Sequence, residues 1–369
     1  MATLIVKVTK ALPLLGLLLG LFVIMGLNSC GQAPDFNSED PVFSLFADRH
    51  KVLSAVDSVS MEEQPLRMVG AIEKYKDWLI IRTGFDQSQL LFYNVNTGET
   101  IKGLPKGRGP NEVMMITGIQ IVGDTLWYYA PNEMKHLMID LKNSVLKRSC
   151  VYGDSTRSTT SGTIKSYIVP EGIVSMNMLS RQRHWYAYVD KSGQRQSVID
   201  VCDFEAISDY TDRQKQSLHA TSSILSMSPD GKRFVGAGAS FGALSFSKFD
   251  QGQLLETKRY LFYPPASKAV SEYQVAFSRE ARTSFCGACI TENHVYLLYS
   301  GKTDAESVEI PAWECNHFLV MTPDGDPVRH YVLDINISAF YVDEDARILW
   351  GYSSEPTKKL VKYSLPKTL

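Results

Sequence analysis

Ile224-Leu-Ser-Met-Ser-Pro-Asp-Gly-Lys-Arg-Phe-Val-Gly-Ala237 contains an apolar run, a turn and a second apolar run. Pro229 presets φ for a reversal and Asp230-Gly231 supplies the tight corner. Runs of this length on either side of such a corner predict a β-hairpin. Ala243-Leu-Ser-Phe246 follows and predicts a third strand.

The same order recurs along the chain. Trp78–Arg82 is followed by Leu90–Tyr93 and the turn Asn96-Thr-Gly98. Ile119–Val122 leads through Gly123-Asp124 to Thr125–Tyr129 and then Leu137–Leu141. Gly172–Met176 leads to Trp185–Val189 and the turn Asp190–Gly193. Cys289-Ile290 passes Glu292-Asn293 into His294–Tyr299, then Phe318–Met321 and Pro323-Asp-Gly325. Ile337–Val342 meets Asp343–Asp345, then Arg347–Trp350 and Leu360–Tyr363. Six passes over roughly 320 residues make units of about 50, the spacing of propeller blades. A small antiparallel sheet cannot bury both faces alone, and radial packing of such sheets covers them. The expectation is an all-β chain folded as a six-bladed β-propeller over residues 49–369. A single β-sandwich rarely needs so many strands. Residues 203–223 and 256–284 read as insertions, the first polar enough to hold a short helix. Val52–Val59 is expected to pair with the unit holding Ile337–Tyr363 and so to latch the ring.

The N-terminal end has a different grammar. Lys7 and Lys10 precede an apolar, Gly-broken stretch from Ala11 to Leu27, which ends in Leu27-Asn-Ser-Cys30. That order is a signal peptide over residues 1–29, shorter and more broken than a bilayer span of about 20 residues. The Leu-x-Ser-Cys ending resembles the lipobox of bacterial lipoproteins. The resemblance implies that the Cys30 sulfur is acylated and becomes the first residue of the mature chain. Residues 30–48 read as a polar tether. Localisation is then expected to be the cell envelope, by a lipid anchor at the outer membrane, with the membrane itself a partner through Cys30. Loss of Lys7 and Lys10 takes the net charge from −2 to about −4. Such a chain lacks the concentrated basic footprint that nucleic acid requires. Five further cysteines, Cys150, Cys202, Cys286, Cys289 and Cys315, are irregularly spaced and read as buried thiols rather than a disulfide framework.

Two motifs carry a family resemblance. Ser228-Pro-Asp-Gly-Lys232, echoed by Thr322-Pro-Asp-Gly325, looks like the hairpin of TolB-type propeller repeats. Gly107-Arg-Gly-Pro-Asn-Glu112 is similar to the Gly-x-Gly-Pro-Gly-Glu stretch of TolB-like six-bladed propeller lipoproteins of Bacteroides-type bacteria, with Asn111 in place of a Gly. The resemblance implies an envelope binding or scaffold role. The Gly-Pro turn presents Arg108 and Glu112 as a charged pair, and these are the expected binding residues.

Other constellations lack the context their chemistry needs. Gly238-Ala-Ser-Phe-Gly242 matches a hydrolase string, but a strand pattern follows Ser240 where a helix is required. Cys286-Gly-Ala-Cys289 enters a strand, where residues three apart face opposite ways. Glu314, Cys315 and His317 do not have metal-site spacing. No cofactor, metal or catalytic group is expected. The sequence therefore reads as a non-catalytic binding or assembly module for an envelope protein or glycan. The alternative is a polysaccharide lyase or hydrolase at the central opening, drawing on Asp124, Glu133, His184 or Asp343.

Overall fold

The computed structural model describes residues 39–47, 49–84, 87–180 and 182–367. Cys30 and the signal segment lie outside the described residues. Six four-stranded antiparallel sheets follow one another around a centre. Blade 1 comprises Met68–Tyr75, Trp78–Gly84, Ser88–Asn94 and Thr100–Pro105. Blade 2 comprises Gly118–Val122, Thr125–Ala130, Lys135–Asp140 and Val151–Ser158. Blade 3 comprises Thr163–Val169, Gly172–Asn177, Tyr186–Asp190 and Arg195–Ile199. Blade 4 comprises Ser223–Met227, Arg233–Gly238, Gly242–Asp250 and Gln253–Tyr263. Blade 5 comprises Phe285–Ile290, Val295–Tyr299, Cys315–Met321 and Pro327–Ile337. Blade 6 takes Ala339–Asp343, Ile348–Ser353 and Lys359–Ser364, completed by Ala55–Ser60 from the other end of the chain.

The ring is therefore closed by the expected segment, with one addition. Ala55–Ser60 pairs antiparallel with Lys359–Ser364, from Ala55 opposite Tyr363 to Ser60 opposite Lys359. Just before it, His50–Leu53 adds a fifth, parallel strand to blade 5, with Lys51 opposite Tyr331. The folded body begins earlier still. Asp40 caps a helical turn over Pro41–Ser44, and its buried carboxylate accepts from the Val42 amide and the Tyr299 hydroxyl at 2.8 Å each. Val42, Phe43 and Phe46 are buried with blades 4 and 5. The described end of the expected tether is thus packed rather than free, because its three apolar side chains have a core to enter.

Each blade has a fourth, outermost strand that apolar patterning does not announce. In Arg195–Ile199 only Ile199 is buried, and in Gln253–Tyr263 only Leu254. An outermost strand covers one sheet edge and leaves much of its surface to water, so its apolar signal is weak. Gln253–Tyr263 runs well into the segment expected as an insertion, so the excursion begins after Tyr263. It carries a small hairpin, Ser267–Ala269 with Val275–Phe277. The earlier excursion holds the expected helix, Asp212–Thr221, started by a capping box between Thr211 and Gln214. A second short helix, Leu141–Lys147, interrupts blade 2 where a strand residue, Leu141, was expected. Asp140 ends the strand and caps the helix by accepting from the Asn143 amide at 2.9 Å.

The Ser228–Lys232 hairpin explains its own composition. Asp230 accepts from the Ser228 hydroxyl at 2.5 Å and the Lys232 amide at 3.0 Å, and Gly231 has a φ of +72°. Gly325 repeats this in the second copy with a φ of +89°.

Four histidines are buried and a fifth, His317, half-buried, all as neutral rings. His219 shows why neutrality matters: Nδ1 meets the Lys215 carbonyl at 2.8 Å, and Nε2 accepts from the Cys202 amide at 2.9 Å. Burial lowers His136, His184, His219 and His317 from 6.5 to about 4, and His330 to about 3. Between pH 6.5 and 4 the unfolded chain therefore binds more protons at these sites than the folded one, and stability falls as pH falls. Glu73, raised to about 7, and Glu314, also raised by burial, oppose this as the smaller set. We expect the melting temperature, followed by circular dichroism, to drop continuously from pH 7 to pH 4.5. A flat profile over that window would contradict the burial of these rings as neutral bases.

Candidate functional site

The first strands of the blades ring the centre and enclose a cavity of about 890 Å³. Its wall draws on every blade, through residues such as Ile72, Gln120, Lys165, Ser226, Ala288 and Tyr341. On one side the rim is formed by turns joining first and second strands, including Asp230 of blade 4, Asn293 of blade 5 and Asp345 of blade 6. On that side Lys74 and Asp343 of neighbouring blades form an ion pair at 2.6 Å.

Deeper in the wall stands a set of ionisable groups. Glu73 comes from blade 1, Lys165 and Tyr167 from blade 3, Cys289 from blade 5 and Tyr341 from blade 6. Arg82 joins them from the second strand of blade 1, one layer out. It reaches inward because Gly70, on the first strand, has no side chain. A Cβ at Gly70 would lie 2.1 Å from Arg82 Nη2 and 2.6 Å from Cζ. The strand register shifts there, between Val69 and Ala71, which marks a bulge at the glycine. Arg82 Nη1 donates to the Ile116 carbonyl at 3.2 Å, while its Nε is buried without a hydrogen-bond partner among the described residues.

The wall sets the electrostatics of these groups. Burial pushes the Glu73 carboxyl up to about 7, against the pull of Lys165. Burial, reinforced by repulsion from Arg82, brings the Lys165 ammonium down to about 7, with Glu73 acting the other way. The same desolvation holds the Cys289 thiol up at about 12, so it is a poor nucleophile. The Lys165 ammonium lies 5.4 Å from the Tyr167 ring centre. Strongly shifted groups in a concave site are the usual mark of function.

The residues expected from sequence lie elsewhere. Arg108 and Glu112 sit on the connection from blade 1 to blade 2, outside the cavity wall. Glu112 accepts from the Gly109 amide at 2.8 Å and so braces its own loop instead of orienting Arg108. Arg108 is exposed, and no ion pair joins it to Glu112 among the described residues. Asn111 has a φ of +62°, which explains the Gly of the related pattern: the corner needs a left-handed residue, and Asn tolerates that region. Of the four acid–base candidates only Asp343 lines the cavity. Asp124 accepts from the Tyr75 hydroxyl at 2.6 Å, Glu133 lies 3.4 Å from the Met114 amide, and His184 is buried beside Gln182. Ser240 stands between two strands, Arg233–Gly238 and Gly242–Asp250, so it has no nucleophile elbow. Cys286 and Cys289 share one strand, and all five described cysteines are free thiols. Glu314 accepts from Ser354, whereas His317 meets His330 at 3.1 Å.

The profile of the TolB-like 6-blade propeller-like family matches residues 64–345. The chain belongs to that family. Two solved structures share the fold of this TolB-like propeller. One, from Bacteroides fragilis, is described as an exported protein; it is 11% identical, with 86% of this chain and 100% of that chain covered at a TM-score of 0.51. The other is a member of the DUF4221 family from Bacteroides vulgatus, 10% identical, covering 86% of this chain and 98% of its own at the same TM-score of 0.51. Among curated proteins none matches this sequence.

Glu73 and Lys165 escape sequence reasoning because their first strands are polar on the channel side, and Arg82 because it ends the apolar run of a second strand that carries no sign of its reaching inward. The available signal was the pair of charges in Met68-Val-Gly-Ala-Ile-Glu-Lys-Tyr75 directly before an aromatic-led strand. For Arg108 the exposure makes a sharp forecast. Arg108→Ala should change unfolding free energy by no more than about 0.5 kcal/mol, measured by urea denaturation, and a larger loss would assign the side chain a structural role.

Proposed function

We propose that this TolB-like propeller is a lipid-anchored protein of the cell envelope that binds a small ligand in its central channel and does not turn it over. The observation that carries the reading is the cavity, where groups from four blades, with shifted ionisation, converge on one enclosed space. Ligand sites are concave, largely preformed and equipped with a few convergent polar groups. Propellers gather side chains from many blades around one opening, which suits recognition. The anchor rests on Leu27-Asn-Ser-Cys30 after the apolar stretch. No helix among the described residues is long and apolar enough to cross a membrane, so in this reading the lipid on Cys30 holds the protein at the outer membrane. The exposed Arg108, on its braced Gly-Pro loop, is read as a contact for an envelope protein or glycan partner.

One observation favours a second reading, an envelope polysaccharide lyase or hydrolase. A Glu73 carboxyl raised to about 7 is poised for proton transfer near neutral pH. Polysaccharide cleavage by the wild type that disappears in Glu73→Gln would establish the enzyme and end the non-catalytic reading.

Two experiments test the proposal. Cys30→Ser should move the protein from the membrane fraction to the soluble fraction, and retention after a high-salt wash would defeat the lipid anchor. For the channel, the compounds released by heating purified protein are identified by mass spectrometry. A compound released from the wild type should be missing from Cys289→Trp, whose indole crowds the charged groups of the cavity wall. Equal release from both would place binding outside the channel.

A further inference from the structure

We propose that Arg82 and Lys165 form a carboxylate subsite in the channel, built to take one hexuronic acid unit. The inference rests on the channel-binding reading and names the ligand class that fits it.

The first argument is that the cations are uncommitted. Arg82 spends one N–H on the Ile116 carbonyl, and its Nε is buried without a partner among the described residues. No ion pair joins Arg82, Lys165 or Glu73 to any described side chain. A buried cation without a partner carries a large desolvation cost, which a bound anion removes. Structural needs explain the arrangement poorly. The chain keeps a glycine at position 70 and a bulge beside it, and together these admit a guanidinium from the second strand into the channel. A glycine in a strand interior weakens the strand, and one that marks close approach of another group has a use for the gap.

The second argument is charge balance. Glu73 and Lys165, each brought to about 7, offset one another whether both are charged or both neutral, so Arg82 leaves a single positive charge to match. A monoanionic carboxylate neutralises the set. A phosphate dianion would leave it negative beside Glu73. The planar guanidinium suits the two oxygens of a carboxylate. An anion seated between the two cations also offsets the repulsion from Arg82 that adds to burial in lowering the Lys165 ammonium.

The third argument is the rest of the wall. Tyr341, half-buried beside the charged groups, offers a flat apolar face to the C–H side of a sugar ring, whereas the Tyr167 ring is buried beneath Lys165. The Tyr341 hydroxyl has no hydrogen-bond partner among the described residues. The cavity, at about 890 Å³, has room for more than one sugar unit, so the carboxylated residue can belong to a short oligosaccharide.

Titration calorimetry on the folded, detergent-extracted protein tests this with four probes: glucuronate, its neutral methyl ester, N-acetylalanine and inorganic phosphate. The expected result is that glucuronate binds and that the ester, of the same shape without the charge, binds at least tenfold more weakly. N-acetylalanine carries the carboxylate of a peptide end; tighter binding of it than of glucuronate would overturn the sugar assignment. Tighter binding of phosphate would overturn the carboxylate assignment. Arg82→Gln should weaken glucuronate at least tenfold. Gly70→Ala should do the same, because it leaves every charged group in the chain and only displaces the guanidinium. Should either variant fail to fold by circular dichroism, Lys165→Gln, on a different blade, reads the same subsite. Glucuronate affinity unchanged in the folded variants, or no glucuronate binding by the wild type, overturns the inference. If the wild type fails to bind glucuronate yet releases a compound on heating that Cys289→Trp lacks, the channel reading stands and only the uronate subsite falls.

Discussion

A four-stranded sheet has two faces, and in this molecule neither can be left to water. Each blade solves the problem by lending one face to the blade before it and the other to the blade after. Five apolar clusters among the described residues mark the result. They join blades 1 and 2, 3 and 4, 4 and 5, 5 and 6, and 6 and 1. The aromatic side chains supply most of the bulk: Trp185 meets Phe241 across the third junction of the ring, and Phe318 meets Phe340 across the fifth. The junction of blades 2 and 3 is different. There Thr117 donates to the Ile164 carbonyl at 2.6 Å, and the Gln120 side chain both donates to and accepts from the Ile168 backbone at 3.0 Å. The Tyr129 hydroxyl meets Thr159 at 2.7 Å in the same seam. Hydrogen bonds give less net stability than burial of large rings, so this seam is the soft joint of the ring.

Face-to-face burial also decides where function can sit. With both faces of every blade committed, what remains is the outer strands, the turns and the inner edge of each sheet. The inner edges converge, and six of them enclose a space whose lining is free to be polar. Side chains there face each other across the channel, so their charges interact at short range with little water between them. Burial in that space moves Glu73 and Lys165 both toward neutrality, against their mutual attraction. The same crowding makes the absence of a Cβ at Gly70 consequential, since one methyl group would displace the Arg82 guanidinium from the wall.

The repeat was legible because the second and third strands are buried on both faces and read as apolar runs. Ile80, Ile81, Phe92 and Tyr93 show it in blade 1. Turn chemistry was legible where it obeys local rules, as at Ser228–Lys232. Outermost strands such as Arg195–Ile199 were not, because half of each faces solvent. The innermost strands of blades 1 and 3 were hidden for another reason, since Glu73 and Lys165 interrupt their apolar pattern to face the channel, whereas Ile119–Val122, Ile224–Met227 and Ile337–Val342 were read. The charged pair expected at Arg108 and Glu112 failed on a matter of three residues. The Gly109 amide lies nearer to Glu112 than any competing cation, and a local backbone donor wins. The docking of Val42, Phe43 and Phe46 was masked by the polar residues around them.

The way the ring is closed sets the order of events during folding. Ala55–Ser60 is made well before the strand that receives it, Lys359–Ser364. His50–Leu53 likewise waits for Pro327–Ile337. Until those arrive, two strands near the N-terminus have unpaired backbone groups, and such edges invite pairing with other chains. Closing a loop of this length is also slow, since contacts so distant in sequence must form before they repay the lost chain entropy. A ring built this way is closed by pairing across nearly its whole length, so that loss of Lys359–Ser364 alone would leave Ala55–Ser60 without a strand to join.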